Sequence, residues 1–405
     1  MKYLSILLFL TTGSLSAQIV SEDSLIRQAW KRHPSVRAAE MNTSSSRALN
    51  SVSNEIPKTE VMVMRGQYNS FYNNDQNITV SQTVPFPGVL VRRAKLNKAR
   101  VEGAVASERV SKNNVAYEIR SAYNELLFHK ARRIMLLRQD SLMDKMVRIA
   151  ALQYSVGETA MVSKTSMETQ GMELKNELTR NLADIEKVKK DLMYACVCNF
   201  DDISGQLSQR VLQQIDSANI RNPLVLERKI NAEVVGHQRR VEVAKALPDI
   251  TVGYFNQSLV GFHNVNGSEQ FFGRGERFDG FQIGLSIPLL FPAYTSNLRS
   301  LSHNREAALQ NYKEAELQLS QELSREYAEL KKNQRSLEYY TSAALVNASQ
   351  LKRHAAISFE KGDTDYRTFI LNFQQALTIE QNYIQTLYEY NQNIITINFL
   401  YGNDL

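Results

Sequence analysis

The chain has 405 residues, 22% of them charged, and a mean hydropathy of −0.35, so most of its surface faces water. Lys and Arg outnumber Asp and Glu by 48 to 42, a mild basicity that reads as spread along the chain; no basic stripe with interleaved aromatics points to nucleic acid. Beyond the N-terminal segment no run of about 18 apolar residues occurs, which excludes a spanning helix and leaves a closed β-barrel as the route across a bilayer.

Residues 1–17 read as an export signal: Lys2 is the positive start, residues 4–10 are apolar, and Ser14-Leu15-Ser16-Ala17 precedes Gln18. No cysteine follows the apolar run, so there is no site for a lipid anchor. The next segment, residues 21–56, is expected to be helical. Val61 and Val63, then Ile78 and Val80, alternate with period two and predict a pair of strands joined by a polar loop at 68–75. After Val84-Pro85-Phe86-Pro87-Gly88, residues 89–152 hold no proline and a single glycine, Gly103. As one helix this run is roughly 95 Å long. Its apolar positions Val115, Ile119, Ala122 and Leu126, then Leu142, Met146, Ile149 and Leu152, step by four and three, a seam suited to side-by-side packing. A break at Tyr154-Ser155-Val156-Gly157-Glu158-Thr159 leads to a helix over 160–195. Cys196 and Cys198 follow. Their spacing is poor for an unstrained disulfide, two ligands make no zinc site, and they read as inert packed residues.

The second half repeats this order. His33-Pro34 corresponds to Asn222-Pro223, Ile56-Pro57 to Leu247-Pro248, Val84-Pro85 to Ile287-Pro288, and Gly157 to Gly362, at offsets of about 189, 191, 203 and 205 residues. The repeats are expected over 18–205 and 206–405, with strands in 58–85 and 249–288. Ile250, Val252 and Tyr254 alternate, as do Phe281, Ile283, Leu285 and Ile287, and residues 261–277 between them read as a polar loop. Pro292 opens the second long helical run, which lasts to about Phe359, and a last helix follows Phe359-Glu360-Lys361-Gly362-Asp363-Thr364. The expected class is mainly α with a β-barrel part. Four strands cannot close a barrel and open edges cannot sit in lipid, so membrane insertion requires strands pooled from several copies, two giving eight and three giving twelve.

Enzymatic chemistry is missing from the pattern. There is no phosphate loop, nucleophile elbow or metal-ligand histidine pair, and neither a catalytic residue, a metal nor a cofactor is expected. His129 and His354 read as surface positions in helices.

In duplicated order these segments resemble the TolC-like outer membrane efflux proteins, including the metal-exporting branch. The residues carrying the likeness are Leu25-Ile26-Arg27-Gln28-Ala29-Trp30-Lys31-Arg32-His33-Pro34-Ser35-Val36, Ser81-Gln82-Thr83-Val84-Pro85-Phe86-Pro87-Gly88, and the breaks at Gly157 and Gly362. The resemblance implies a homotrimer in outer-membrane lipid, with a shared twelve-stranded barrel and a helical tunnel reaching into the periplasm. It further implies a passive exit duct docked on a periplasmic adaptor and an inner-membrane pump. By the same likeness Val156, Gly157, Glu158, Lys361, Gly362, Asp363, Asp365 and Arg367 fall at the periplasmic tip, as gate or adaptor contacts. Phe281, Ile283, Leu285 and Ile287 would face lipid, and Pro85, Pro87, Pro288 and Pro292 would join barrel to helices. The acidic ring found a few residues past the glycine in some relatives has no counterpart, since Ser163, Thr368 and Leu371 stand there. A periplasmic adaptor and a coiled-coil envelope scaffold are the alternative readings; the doubled order of strands and helices disfavours both.

Overall fold

The computed structural model describes residues 19–67, 71–212, 222–287 and 291–402. The expected export signal and Pro288 lie outside them. Helix α1 (Glu22–Arg32) begins with Glu22 and Asp23 and ends with Lys31 and Arg32, charges that complement the helix dipole. His33, extended at ψ 126°, interrupts the helix expected over 21–56, because a residue before proline is pushed out of the α region. Pro34 then starts α2 (Pro34–Asn50), and a single 3₁₀ turn (Ser51–Asn54) follows. The first long run is one helix, α3 (Pro87–Ser155), and α4 (Met161–Cys196) comes next. After α5 (Pro223–Ala244), the second long run divides into α6 (Phe291–Tyr339) and α7 (Leu345–Glu360), separated by a π turn at Tyr340–Ala344. Helix α8 (Tyr366–Tyr401) ends the described chain.

The cysteine expectation is corrected. Cys196 and Cys198 are joined in a disulfide, their Cα atoms 5.3 Å apart. Between them Val197 is left-handed at φ 51°, which turns the chain sharply at the end of α4. A β-branched residue rarely adopts that conformation, so spacing alone does not reveal the pairing.

Strands β2 (Glu60–Gly66), β3 (Asp75–Val84), β5 (Asp249–Ser258) and β8 (Arg277–Ser286) form one antiparallel sheet in the order β2-β3-β5-β8. The central pair, β3 with β5, joins one sequence repeat to the other. Within the segment expected to be a loop, β6 (Gly261–Val265) and β7 (Ser268–Phe272) make a hairpin. Its turn is Asn266-Gly267, both with positive φ, the dipeptide that a tight hairpin favours. A further short parallel pair, unforeseen from sequence, joins β1 (Ile19–Val20) to β4 (Asp202–Ile203).

The chain divides into two compact units, each mixing segments of both sequence halves. One comprises Met1–Arg37, Ser111–Asn222 and Leu319–Leu405. Its helices enclose two apolar clusters. The first gathers Leu25, Ile26 and Ala29 of α1, Val115, Ile119 and Leu126 of α3, and Ile185, Leu192 and Cys196 at the end of α4. The second joins Leu136, Met143 and Met146 of α3 and Met167 of α4 to Phe359, Phe369 and Phe373 of α7 and α8.

The other unit, Ala38–Val110 and Pro223–Gln318, carries the sheet. Hydrogen bonds tie its helices side by side in the strand order. Asn97 Nδ2 of α3 donates to Leu49 O of α2 (3.2 Å), and Arg92 Nη1 of α3 donates to Arg240 O of α5 (3.0 Å). Arg239 Nε of α5 then donates to Ser302 Oγ of α6 (3.0 Å). Each helix thus continues the strand next to it in sequence. The result within this unit is a single layer, whose helices lack the opposing layer that normally buries their second face.

Candidate functional site

Three sets of residues are expected to matter: two turns, one sheet face and the strand–helix junctions. Both turns are built alike. Gly157 has φ +81° and Gly362 φ +78°. Around the first, Gly157 N donates to Tyr154 O and Glu158 N to Gln153 O; around the second, Gly362 N donates to Phe359 O and Asp363 N to Ser358 O. This is the left-handed helix ending in which glycine avoids a Cβ clash and the last carbonyls are satisfied.

The two turns sit at the end of one shared core. Phe359, just before Gly362, stacks on Phe369 with centroids 5.2 Å apart, and Phe369 stacks on Phe373 at 5.9 Å. Lys145 of α3 pairs with Glu360 of α7 (2.8 Å), and Gln374 of α8 donates to Gln170 of α4 (3.0 Å). The expected tip residues Val156, Gly157, Glu158, Lys361, Gly362, Asp363, Asp365 and Arg367 are all exposed.

Their surroundings differ between the repeats. Asp365 caps α8 by accepting from Thr368 N at 3.0 Å, and hydrogen bonds from Thr368, side chain before backbone, hold its carboxyl below the usual value. Ala160, the corresponding residue before α4, caps nothing with its side chain. Lys164 instead lies over the Tyr154 ring, 5.4 Å from its centroid.

Sequence reasoning missed several exposed apolar residues on the helices that flank the two turns. Leu152, placed in the packing seam by its spacing, is 64% exposed, and Tyr154, Met161, Val162, Met172 and Leu371 are exposed as well. The seam ends at Met146 and Ala150, where the shared core ends. Heptad spacing marks a stripe but not where the partner helix stops. Of the positions occupied by acids in some relatives, Ser163 is buried, while Thr368 and Leu371 are exposed. His129 is corrected from a surface position to one packed between α3 and α4, where Nδ1 lies 3.4 Å from Asn181 Nδ2. Burial lowers its pKa, against the opposing pull of Asp184 and Glu125. His354 is exposed.

The sheet has two unlike faces. Pairing places Val61 opposite Val80, Val80 opposite Tyr254, and Tyr254 opposite Phe281, while Val252 faces Ile283 and Ile250 faces Leu285. These residues share one face, and Phe281 (81% exposed), Ile283 (80%) and Leu285 (66%) are its most open part, with Ile287 exposed just past the strand. The alternate face is mixed: Asn77, Thr79, Ser81, Thr83, Thr251, Gln257 and Gln282 are polar and uncharged, Glu60, Asp75 and Asp249 are acidic, and Met62, Met64, Phe255 and Phe278 are apolar. Both outer strands, β2 and β8, have one edge unpaired among the described residues. At the junctions Pro85 is buried, Pro87 is the first residue of α3, and Pro292 is exposed in the first turn of α6. Among the described residues no helix is long and apolar enough to cross a membrane, and no cluster of His, Cys, Asp or Glu could hold a metal ion.

Residues 214–403, nearly the whole second repeat, match the family described as outer membrane efflux protein. The second repeat is therefore similar to that family, in agreement with the likeness read from the motifs. The fold of the chain as a whole is that of the TolC-like channels. The outer-membrane channel OprN superposes with a TM-score of 0.76 at 16% identity, over 94% of this chain and 89% of that one. The CmeC outer membrane channel of Campylobacter jejuni gives 0.77 at 13% identity, over 95% and 86%. The outer membrane protein VceC of Vibrio cholerae gives 0.76 at 14% identity, over 94% and 96%. No curated protein sequence matches the chain. Neither the adaptor nor the scaffold reading finds support in these matches.

Proposed function

We propose that the chain is the outer-membrane exit duct of a tripartite efflux system, a homotrimer that conducts cargo passively from a periplasmic adaptor and inner-membrane pump to the exterior. The observation that carries this reading is the sheet: four strands with a row of exposed apolar residues on one face, a run of amides and hydroxyls on the central strands of the other, and two edges unpaired among the described residues. Such a sheet is tolerable in lipid only if its edges are closed by other copies, and a polar inner face then lines water. Three copies supply twelve strands. Apolar residues outside and amides and hydroxyls inside are the alternation of a transmembrane barrel.

The helical part fits a conduit. Its long helices expose charged residues along their length, and among the described residues no group of His, Cys, Asp or Glu could hold a metal ion. In this reading energy comes from the pump, and the protein supplies a path that opens and closes. The turns at Gly157 and Gly362, with Glu158, Lys361, Asp363, Asp365 and Arg367, are the gate or adaptor-contact residues of this reading. The exposed apolar group around Leu152 and Met161 adds to that surface.

Separation of inner and outer membranes, followed by detergent extraction and light scattering, tests the proposal. A trimer that requires detergent and comes from the outer membrane is the expected result. A monomer soluble in the periplasm would overturn the shared barrel.

A further inference from the structure

The basicity that reads as spread along the sequence is gathered by the fold. The segments that run from the sheet into its helices, residues 51–60, 87–100, 238–249 and 291–305, hold eleven Lys and Arg against four Asp and Glu. Their surplus of seven exceeds the net +6 of the entire chain.

The charge is not shared equally between the two sides of the helical layer. On one side Arg93, Asn97 and Arg100 of α3 and Gln238 and Lys245 of α5 line a cavity of about 320 Å³, where Glu55 and Glu242 offset two of the three cations. Helical periodicity puts Val91, Lys95 and Lys98 of α3 and Arg240, Val243 and Leu247 of the α5 segment on the opposite side. There a second cavity, of about 390 Å³, is lined by Lys229, Glu233, Gly236, His237, Arg240 and Arg305. The Arg305 side chain passes close to α5 at Gly236, where an added Cβ would make ordinary contact with Arg305 Nε at 3.5 Å. Among the described residues, the side chains of Lys95, Lys98, Arg240 and Arg305 make no ion pair. The acids on this side are Glu102, one turn beyond Lys98 on α3, and Glu233, which lines the same cavity as Arg240 and Arg305.

We propose that Lys95, Lys98, Arg240 and Arg305 form a cationic face that binds the phosphates of anionic glycerophospholipids in the leaflet on the helical side of the sheet. This rests on the sheet being inserted in lipid, as proposed above. The ordering along this face is that of a membrane interface. Val91, Val243 and Leu247, all exposed, lie nearer the strands along their segments than the cations do. Lys95 lies about 12 Å and Lys98 about 17 Å along α3 from Pro87, at 1.5 Å per residue. The headgroup zone is about 5–8 Å deep on each side of the hydrocarbon. Side chains on a helix slant toward its N-terminus, which for α3 and α6 is the sheet end, so long cationic side chains reach back into that zone. Charge complementarity selects an anionic phosphate over a zwitterionic headgroup.

The test uses the full-length oligomer extracted in mild detergent. Lipid binding is followed by native mass spectrometry with phosphatidylglycerol and with phosphatidylcholine, and inorganic phosphate is added as a competitor. Wild type should retain phosphatidylglycerol in preference, and phosphate should not displace it. The variant K95Q/K98Q/R240Q/R305Q should lose that preference by about tenfold or more. The charge-retaining variant K95R/K98R/R240K/R305K should keep it, as should R93Q/R100Q/K245Q on the other side of the layer. Equal binding of the two lipids by wild type, or an unchanged preference in the neutralised variant, would overturn the proposal while leaving the channel reading intact. An unchanged lipid preference with altered ion selectivity of the reconstituted channel would also overturn it, by placing these cations in the bore. An oligomer that enters no bilayer at all would remove the membrane reading itself and this proposal with it.

Discussion

At the residue scale, the two glycine turns and one histidine carry checkable consequences. An added Cβ at Gly362 would meet nothing within 4 Å, so Gly362→Ala is limited by its φ of +78° and not by crowding. The cost should be about 1–2 kcal/mol, the penalty of a left-handed L-residue. Thermal unfolding in detergent should show a lowered midpoint, and Gly157→Ala should behave alike. His129 carries a pH dependence of definite sign. Burial depresses its folded pKa, so the folded state resists protonation. Stability contributed by the neutral ring is full above the unfolded value of about 6.5 and declines as pH falls below it. His129→Gln should therefore flatten the loss of stability between roughly pH 6.5 and 5 in a urea titration. An unchanged slope would show that other groups set it. The glycines are legible in the sequence because a lone Gly between long proline-free runs has few other uses. The His129 environment is not, because it depends on which face of α4 meets α3.

At the element scale, the strands were readable and the interruptions were not. Period-two alternation identifies Phe281, Ile283 and Leu285 as one face, and the exposure of that face agrees. Ile283→Arg should block assembly into the outer membrane, since an Arg on a lipid face near the bilayer centre costs about 2–4 kcal/mol. Gln282→Arg, on the opposite face, should assemble; membrane fractionation and heat-modified gel mobility distinguish them. Normal assembly of the Ile283 variant would count against the strand register. The β6–β7 hairpin had its signal in Asn266-Gly267, obscured by polar flanks. The π turn at Tyr340–Ala344 has no signal in spacing, because one residue added to a helical turn shifts the pattern by less than side-chain variation does. The cysteine pair depends on the single left-handed residue Val197.

At the scale of the whole molecule, the open edges β2 and β8 make the strongest demand. In a background with Cys196 and Cys198 replaced by Ser, cysteines introduced at Val63 and Ile283 lie on the same face of the two outer strands. Mild oxidation should then yield dimers and trimers on a denaturing gel and nothing larger. A ladder extending beyond three copies would mean that the sheet edges polymerise instead of closing.

The sequence alone determined the strand faces, the two glycine turns, the long helices and their duplicated order, since each is written in local periodicity or in a residue with special backbone freedom. The same local signals underlie the proposed assembly, because four strands inserted in lipid could not close a barrel alone. Tertiary structure decided which segments become neighbours. It paired β3 with β5 across the repeats, set the helices in the strand order and joined Cys196 to Cys198. Those outcomes depend on contacts between residues far apart in the chain, and a pattern read along one dimension holds no record of them.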